Sequence, residues 1–308
     1  ASSHIRIGTF QYAAIQKDLK SVSLLLDYTV KRHFPEIISE KNIALSFLKL
    51  VMKKQINLVV NWMRVGFVHG VMNTDNTSIS GETIDYGPCA FMDFYDPKTV
   101  FSSIDTQGRY CYENQPAILQ WNILQLAISI LPLIDKNEKK AKELSINIIN
   151  EFVGDYKVAW LEMMKKKFGF FGSQPEDEGL ISSFLVWMQE NRSDFTNFFS
   201  AISSGPSKGF LKKEGFSGQA FVDLYMGWWK RIEKNKKNIN ESVAMMKKNN
   251  PRIIPRNHLV GQALYQVEKS NNFEDFKSLL LFLKKPYEGK DLPEKFLTPP
   301  SPEEEVLE

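Results

Sequence analysis

The segment 69–88, HGVMNTDNTSISGETIDYGP, concentrates the residues that could carry out metal and phosphate chemistry. Asp75, Asn76 and Asp85 supply carboxylate and amide oxygens, the hard ligands that hold Mg²⁺ together with phosphates and waters. Phosphoryl and nucleotidyl transfer need such ligands, because their catalysis is largely positioning and charge neutralisation. A further carboxylate can accept or orient the proton of an attacking hydroxyl. These residue types therefore indicate a metal–nucleotide site.

The same residues have a plainer interpretation as turn residues. A His-containing loop with Asp and Asn, followed by Asp85-Tyr86-Gly87, is similar in order to a protein-kinase active site. A kinase, however, places its catalytic Asp two residues after the His, where this chain has Val71. A kinase also separates that Asp from its Asn, whereas Asp75 and Asn76 are adjacent. Since Asp, Asn and Gly are common in turns, the pattern alone leaves both interpretations open.

The overall composition argues against several classes of protein. The chain has 308 residues, 43% of them hydrophobic, which is ample for a large core. Its 39 basic and 36 acidic residues give a net charge of only +3, so we expect no nucleic-acid partner. Two cysteines are too few for a disulfide scaffold and are compatible with a reducing compartment. The apolar stretch 124–134 is shorter than the roughly twenty residues of a membrane span. Because Pro132 also interrupts it, we expect no membrane partner.

Apolar residues recur at helical spacing through most of the chain. The stripes cover Ile43–Met63, Val22–Val30, Ile118–Leu131, Leu144–Met164, Leu180–Met188, Phe221–Ile232 and His258–Glu268. Strand signals are confined to the turn-rich region 66–96, so we predict a mainly α fold with a short β-hairpin and loop region that carries the site. Gly/Ser/Pro-rich connections are expected at 168–179 and 203–218. A helical domain is predicted over 1–290, followed by an extended or disordered Pro/Glu-rich tail over 291–308.

Longer segments carry a family resemblance. They are SSHIRIGTFQYAA (2–14), GFVHGVMNTDNTSISGETIDYGPCAFMDFYDP (66–97) and YCYENQPAILQWNILQLA (110–127), with a weaker match in NNPRIIPRNHLVGQAL (249–264). Together they resemble the C-terminal part of the selenoprotein O family (the YdiU-type proteins), kinase-like protein adenylyltransferases. The resemblance implies a protein-kinase-like C-lobe that transfers AMP from ATP to Ser, Thr or Tyr hydroxyls of proteins. It also implies Mg²⁺, with Mn²⁺ as the alternative metal, and a cytoplasmic location in a bacterium or a mitochondrial one in a eukaryote.

The resemblance also implies roles for individual residues. Asp75 matches the proton acceptor of the family. Asn76 and Asp85 match its magnesium ligands, and Asp85 also approaches the nucleotide phosphates. Arg6 matches an arginine that contacts the ATP phosphates, a role that suits a guanidinium fork. We expect His69 to be a hydrogen-bonded scaffold residue, and Glu113, Asn114 and Gln115 to form polar scaffolding beneath the site.

The chain also departs from the family pattern. The family's N-terminal lobe supplies a glycine-containing phosphate loop, a paired lysine and glutamate, and another phosphate-binding arginine, and none is found in these 308 residues. We therefore expect this chain alone to fold but to be inactive as an adenylyltransferase. The alternative hypothesis is a non-catalytic helical interaction module derived from a pseudokinase. A plain phosphotransferase is a third hypothesis, because residue identity does not show which phosphorus of ATP is attacked.

Overall fold

Helices make up most of the protein. The computed structural model describes residues 1–207, 209–210, 216, 218–288 and 292–305. Its α-helices are α1 (Ile7–Ile15), α2 (Leu19–His33), α3 (Ile43–Val65), α4 (Gln115–Ile134), α5 (Glu138–Phe168), α6 (Asp177–Glu190), α7 (Phe195–Ile202), α8 (Gln219–Glu233), α9 (Ile239–Asn249), α10 (Asn257–Ser270) and α11 (Glu274–Leu283). Strands β1 (Phe67–Val68) and β2 (Ala90–Phe91) pair antiparallel. The structure is 62% helix and 3% strand, which confirms the predicted mainly α fold. The kinase-like arrangement of that fold stays a prediction.

Every predicted apolar stripe lies in a helix of the structure. The clearest case is α3, where the stripe predicted over Ile43–Met63 becomes the helix Ile43–Val65. The predicted connection 168–179 largely separates α5 from α6. The connection 203–218 joins α7 to α8, although residues 208, 211–215 and 217 lie outside the described residues. Helices α1, α7, α9 and α11 were not predicted, because each is at most 11 residues long and so short an apolar pattern does not by itself distinguish a helix from other structure.

Helix α4 corrects the expectation about Pro132. The helix continues through Pro132 to Ile134, so the proline does not interrupt it. Within the described part of the chain, the stretch Tyr112–Ile134 is long and apolar enough, by length and composition only, to cross a membrane. Half of its most apolar window is buried inside the protein, as in the core helix of a globular protein. The absence of a membrane partner therefore stays a prediction.

The chain forms two compact units, the first of which comprises residues 1–61, 69–89 and 102–160. In this unit α1 packs against α2 and α4 and also contacts a short 3-10 turn, Thr74–Asn76. The rings of Phe10, Phe34 and Phe47 form the aromatic centre of the unit, with Phe47 5.4 Å from each of the other two rings. This core supports the segment that carries the candidate site.

The second unit comprises residues 62–68, 90–101 and 161–308. It contains the β1–β2 pair, in which Phe67 lies opposite Phe91, and the helices α6 to α11. Aromatic side chains dominate its core, among them Phe168, Phe184, Phe199, Phe221 and Trp228. Because the chain passes between the units several times, they are not consecutive domains. The predicted domain limits, 1–290 and 291–308, stay a prediction.

The described part of the Pro/Glu-rich tail is mostly exposed but is anchored to the second unit, which differs from the expectation of an extended or disordered segment. Phe296 is 3% exposed and belongs to an apolar cluster with Ile253, Leu259 and Leu279. Near the end of the described chain, Glu305 pairs with Arg192 at 2.7 Å. Burial of one ring and a few polar contacts thus hold a segment whose composition resembles that of disordered chains. Residues 291 and 306–308 of the predicted tail lie outside the described residues.

Candidate functional site

The predicted site segment lies within the first unit, where its central feature is the 3-10 turn Thr74–Asn76. Asn73 precedes the turn with extended backbone, and its carbonyl accepts the Asn76 N–H at 2.9 Å. Asp75 is exposed, whereas Asn76 is half-buried. The turn therefore presents the carboxylate of Asp75 to solvent and keeps the neighbouring amide partly inside.

The amide of Asn76 has an oxygen with no partner. Its Nδ2 donates to the Val71 carbonyl at 3.0 Å, which fixes the orientation of the side chain. Its Oδ1 is buried and accepts no hydrogen bond from the described residues. Buried polar atoms are normally paired, and an amide oxygen is a hard ligand that a magnesium ion would satisfy. Gln55 Oε1 and Asn122 Oδ1 are also unpaired, but these side chains are fully buried behind the segment.

Asp85 occupies a tight turn with unusual backbone geometry. Its φ of 60° lies in the left-handed region, which Asp tolerates better than most residues. The Gly87 N–H donates to the Asp85 carbonyl at 2.9 Å, closing the turn around the exposed Tyr86. The Asp85 side chain is exposed. Strained backbone of this kind is often found at functional sites, and here it holds a carboxylate in solvent.

His69 joins the two parts of the segment. The imidazole is buried; its Nδ1 accepts from the Val71 N–H at 3.4 Å, and its Nε2 contacts the Ile84 carbonyl at 2.8 Å. Burial lowers the pKa of His69, although the Ile84 carbonyl and the charge of Asp85 oppose the shift. A neutral ring with Nε2–H donating to Ile84 fits both bonds. The expectation that His69 is a scaffold residue is confirmed.

Buried amides from the surrounding helices hold the segment from behind. Gln115 Oε1 accepts the His69 N–H at 2.9 Å, as expected for scaffolding. Gln55 Nε2 donates to the Ser78 carbonyl at 2.7 Å, and Asn122 Nδ2 donates to the Met72 carbonyl at 2.9 Å. Sequence reasoning missed Gln55 and Asn122. A signal was available, since each is a polar residue in register with the apolar stripe of its helix.

Arg6 lies beside the 3-10 turn because the chain before α1 pairs with the residues after that turn. Arg6 forms an antiparallel bridge with Ser78, and the Ile7 N–H donates to the Thr77 carbonyl at 3.0 Å. The side chain of Arg6 is half-buried at the N-terminus of α1. Backbone contacts therefore bring Arg6 next to the turn that carries Asp75 and Asn76.

Asp85 is linked to that turn indirectly. Val71, which anchors the Asn76 amide, and Ile84, which precedes Asp85, are both bonded to the His69 ring. Among the described residues there is no group of three or more His, Cys, Asp or Glu side chains that could hold a metal by themselves. Asn76 and Asp85 stay the predicted ligands of a Mg²⁺ ion, which usually binds to one or two protein side chains together with phosphate oxygens and waters.

Comparison with known proteins identifies the family. The sequence model of the family described as "Protein adenylyltransferase SelO" matches residues 1–284. The chain belongs to this family. The membership accounts for the motif around Asp75, Asn76 and Asp85 and confirms the resemblance seen in the sequence.

Curated relatives named "Protein nucleotidyltransferase YdiU" match nearly the whole chain. The protein from Nitrosococcus oceani is 46% identical over 306 residues, which are 99% of this chain and 62% of that relative. The protein from Alcanivorax borkumensis is 46% identical over 99% of this chain and 63% of its own length. A Bacillus cereus protein is 44% identical over 98% and 61%. The chain thus spans about three fifths of the length of these relatives.

Proposed function

We propose that this chain carries the transfer site of a Mg²⁺-dependent protein adenylyltransferase, which moves AMP from ATP to Ser, Thr or Tyr hydroxyls of proteins. The names of the family and of its relatives support nucleotidyl transfer in general. The observation that most supports this proposal is the contrast between two adjacent side chains. Asp75 offers an exposed carboxylate, and Asn76 offers a buried oxygen with no hydrogen-bond partner.

In the proposed reaction the acceptor hydroxyl attacks the α-phosphorus of ATP. A bond forms between the hydroxyl oxygen and that phosphorus, the bond to the β-phosphate oxygen breaks, and pyrophosphate leaves. Asp75 accepts the hydroxyl proton, as a positioned carboxylate can. Its exposure suits this role, because a protein acceptor must reach it from solvent.

The remaining residues bind and orient the nucleotide. Asn76 and Asp85 would hold magnesium, which when bound supplies positive charge that offsets the charge of the phosphates. Arg6 contacts phosphate oxygens through its guanidinium, which donates bidentate, charge-assisted hydrogen bonds. His69 keeps Val71 and Ile84 in fixed positions, so that Asn76 and Asp85 stay in place while the substrate binds.

Labelled ATP shows which phosphorus, α or γ, the acceptor hydroxyl attacks. The purified chain, and separately the full product of the gene that encodes it, are incubated with Mg²⁺, a protein acceptor mixture and ATP labelled on the α- or the γ-phosphate. In the full gene product we expect protein labelling from the α position and none from the γ position, whereas this chain by itself is expected to give no label. The Asp75→Asn variant should lose the label, while Asp27→Asn, which changes an exposed Asp on α2, should keep it.

Two outcomes would overturn the proposal. Labelling only from the γ position would make the protein a phosphotransferase. Absence of labelling from both positions in both preparations, with Mg²⁺ and Mn²⁺ each supplied, would favour the non-catalytic interaction module.

A further inference from the structure

Helix α1 meets the 3-10 turn at a glycine. A Cβ atom placed on Gly8 would lie 3.0 Å from both the Cα and the N of Asp75, and 3.3 Å from its Cβ. Two of these neighbours are backbone atoms, which cannot rotate away as the end of a side chain could. The φ of Gly8 lies outside the left-handed region, so its own conformation does not require glycine. A side chain at this position would therefore push against the backbone of Asp75.

A second contact from the same helix reaches the residue before Asp75. Gln11 Oε1 accepts a hydrogen bond from Thr74 Oγ1, which lies 63 residues away in the sequence. Gln11 Nε2 donates to Gln125 Oε1 on α4 at 3.1 Å. Gln11 therefore bridges the 3-10 turn to a core helix, on a neighbouring turn of α1 from Gly8. Proximity at Gly8 and hydrogen bonding at Gln11 together leave the turn little freedom to move relative to α1.

We propose that Gly8 and Gln11 are positioning residues for Asp75. This inference rests on the proposed function for the role of Asp75, while the placement itself rests on the contacts. A Cβ at position 8 forces the neighbouring backbone to shift by a few tenths of an ångström. Misplacing a reacting group by about 1 Å costs about a hundredfold in rate, so we expect Gly8→Ala to lower turnover by about tenfold.

Nucleotide binding should respond differently from turnover. The Asn76 amide is fixed by the Val71 carbonyl, and the residue before Asp85 is fixed by His69, so neither of these anchors involves α1. Arg6 precedes α1, where its own backbone bridge to Ser78 holds it. We therefore expect Gly8→Ala to keep the Kd for Mg·ATP within about threefold of the wild type, because those metal-binding anchors persist. If Gly8 had only a structural role, Gly8→Ala would lower turnover, affinity for Mg·ATP and stability together.

Gly154 provides a matched control. It lies in α5 of the same unit, and a Cβ added there would meet no atom within 4 Å. Alanine in a helix interior is favoured over glycine by about 1 kcal/mol. Gly154→Ala should therefore keep full turnover and an equal or higher Tm. Turnover of Gly8→Ala within about twofold of the control would overturn the positioning role.

A structural readout keeps the test independent of catalysis. Amide chemical shifts of residues 74–77 should move in Gly8→Ala and stay unchanged in Gly154→Ala. If the wild type transfers no AMP, the proposed function fails, but the shifts still decide whether Gly8 places Asp75. Unchanged amide chemical shifts of residues 74–77 in Gly8→Ala would contradict the inference.

The Gln11 variants remain informative if Gly8→Ala does not fold. Gln11→Glu keeps an acceptor oxygen for the Thr74 hydroxyl, whereas Gln11→Leu removes it. We expect Gln11→Leu to lower turnover by about threefold to tenfold and Gln11→Glu to recover most of that loss, because only the former releases the turn. Equal turnover in the two variants would contradict the bridge.

Discussion

At the scale of single residues, the site combines oxygens in different environments. Asp75 and Asp85 are exposed, whereas Asn76 Oδ1 is buried and unpaired. Asp75 and Asn76 are adjacent in the 3-10 turn, whereas Asp85 occupies a separate turn with left-handed backbone. Each residue can therefore be tested separately, by its effect on nucleotide binding or on AMP transfer.

The first prediction separates chemistry from binding. In the full gene product, Asp75→Asn removes the proposed proton acceptor without changing side-chain size, so turnover should fall by roughly 10²–10⁴-fold, the usual range for a positioned general base. The Kd for Mg·ATP, measured by calorimetry, should stay close to the wild-type value. A variant that retains more than about half of the turnover would make Asp75 a turn residue.

The second prediction concerns Asp85. Asp85→Asn keeps a residue that tolerates positive φ and removes the negative charge. Losing a charge-assisted contact of about 1.5–3 kcal/mol should weaken Mg²⁺-dependent ATP binding by about tenfold to a hundredfold. Calorimetry with and without Mg²⁺ checks the result, with Asp155→Asn on the exposed face of α5 as the control. Equal affinity of Asp85→Asn and Asp155→Asn for Mg·ATP would show that Asp85 is not a metal ligand.

At the scale of elements, the helices of the first unit hold an irregular segment in place. Gln55 from α3 and Asn122 from α4 are both fully buried and donate to carbonyls of the segment. His69 ties the early part of the segment to Ile84. An irregular segment needs such side-chain partners, because its own backbone forms few regular hydrogen bonds.

The third prediction uses the titration of His69. Burial lowers its folded-state pKa below the ordinary value of 6.5, so the unfolded chain binds more protons in the window between the two values. The stabilisation from neutral His69 is therefore complete above pH 6.5 and is lost as the pH falls toward the folded-state pKa. For one proton the slope is at most about 1.4 kcal/mol per pH unit.

Denaturant unfolding at about pH 7.5 and about pH 5 checks this linkage. We expect His69→Gln to reduce the loss of unfolding free energy on acidification, because Gln can still donate to the Ile84 carbonyl but does not titrate. Exposed His4 gives the control variant His4→Gln. Identical pH dependence in wild type and His69→Gln would contradict the assignment. Part of the slope should persist, since burial also lowers the pKa of His33 and His258.

At the scale of the whole molecule, a buried ion cluster connects distant segments of the second unit. Arg256, 1% exposed at the side chain, lies at the start of α10 and pairs with Asp93 and Asp194, the latter at 2.7 Å. Its Nη2 also donates to the Leu297 carbonyl at 3.1 Å. The distal segment 249–264, which the sequence marked only as a weak family match, thus connects the strand end, α7 and the tail within that unit.

The fourth prediction is that Arg256→Met destabilises the protein severely. Removing one partner of a buried ion pair leaves uncompensated charge, which costs about 3–5 kcal/mol. The exposed pair Lys49–Glu151 provides the control, and Lys49→Met should cost less than about 1 kcal/mol. Denaturant unfolding measures both variants. Adding Asp93→Asn to Arg256→Met should restore part of the loss, and a single-variant cost below about 1 kcal/mol would contradict the cluster's role.

The sequence by itself predicted most of the helices and the identity of the candidate site residues. Helical periodicity is a local property, so α3 and α8 could be predicted without knowledge of their partners. The motif around Asp75 carried the family assignment, because its residue types and order are specific. The scaffold role of His69 followed from its setting in a turn-rich segment.

Tertiary structure alone decided what lies against those residues. The short helix α1, the continuation of α4 through Pro132 and the packing of Phe296 all depend on partners distant in sequence. The contact of Gly8 with Asp75 left no local pattern, since a glycine with an ordinary φ looks like any flexible position. Local energetics specify a helix or a turn, but a separation of a few ångströms between remote segments is set by how the core packs.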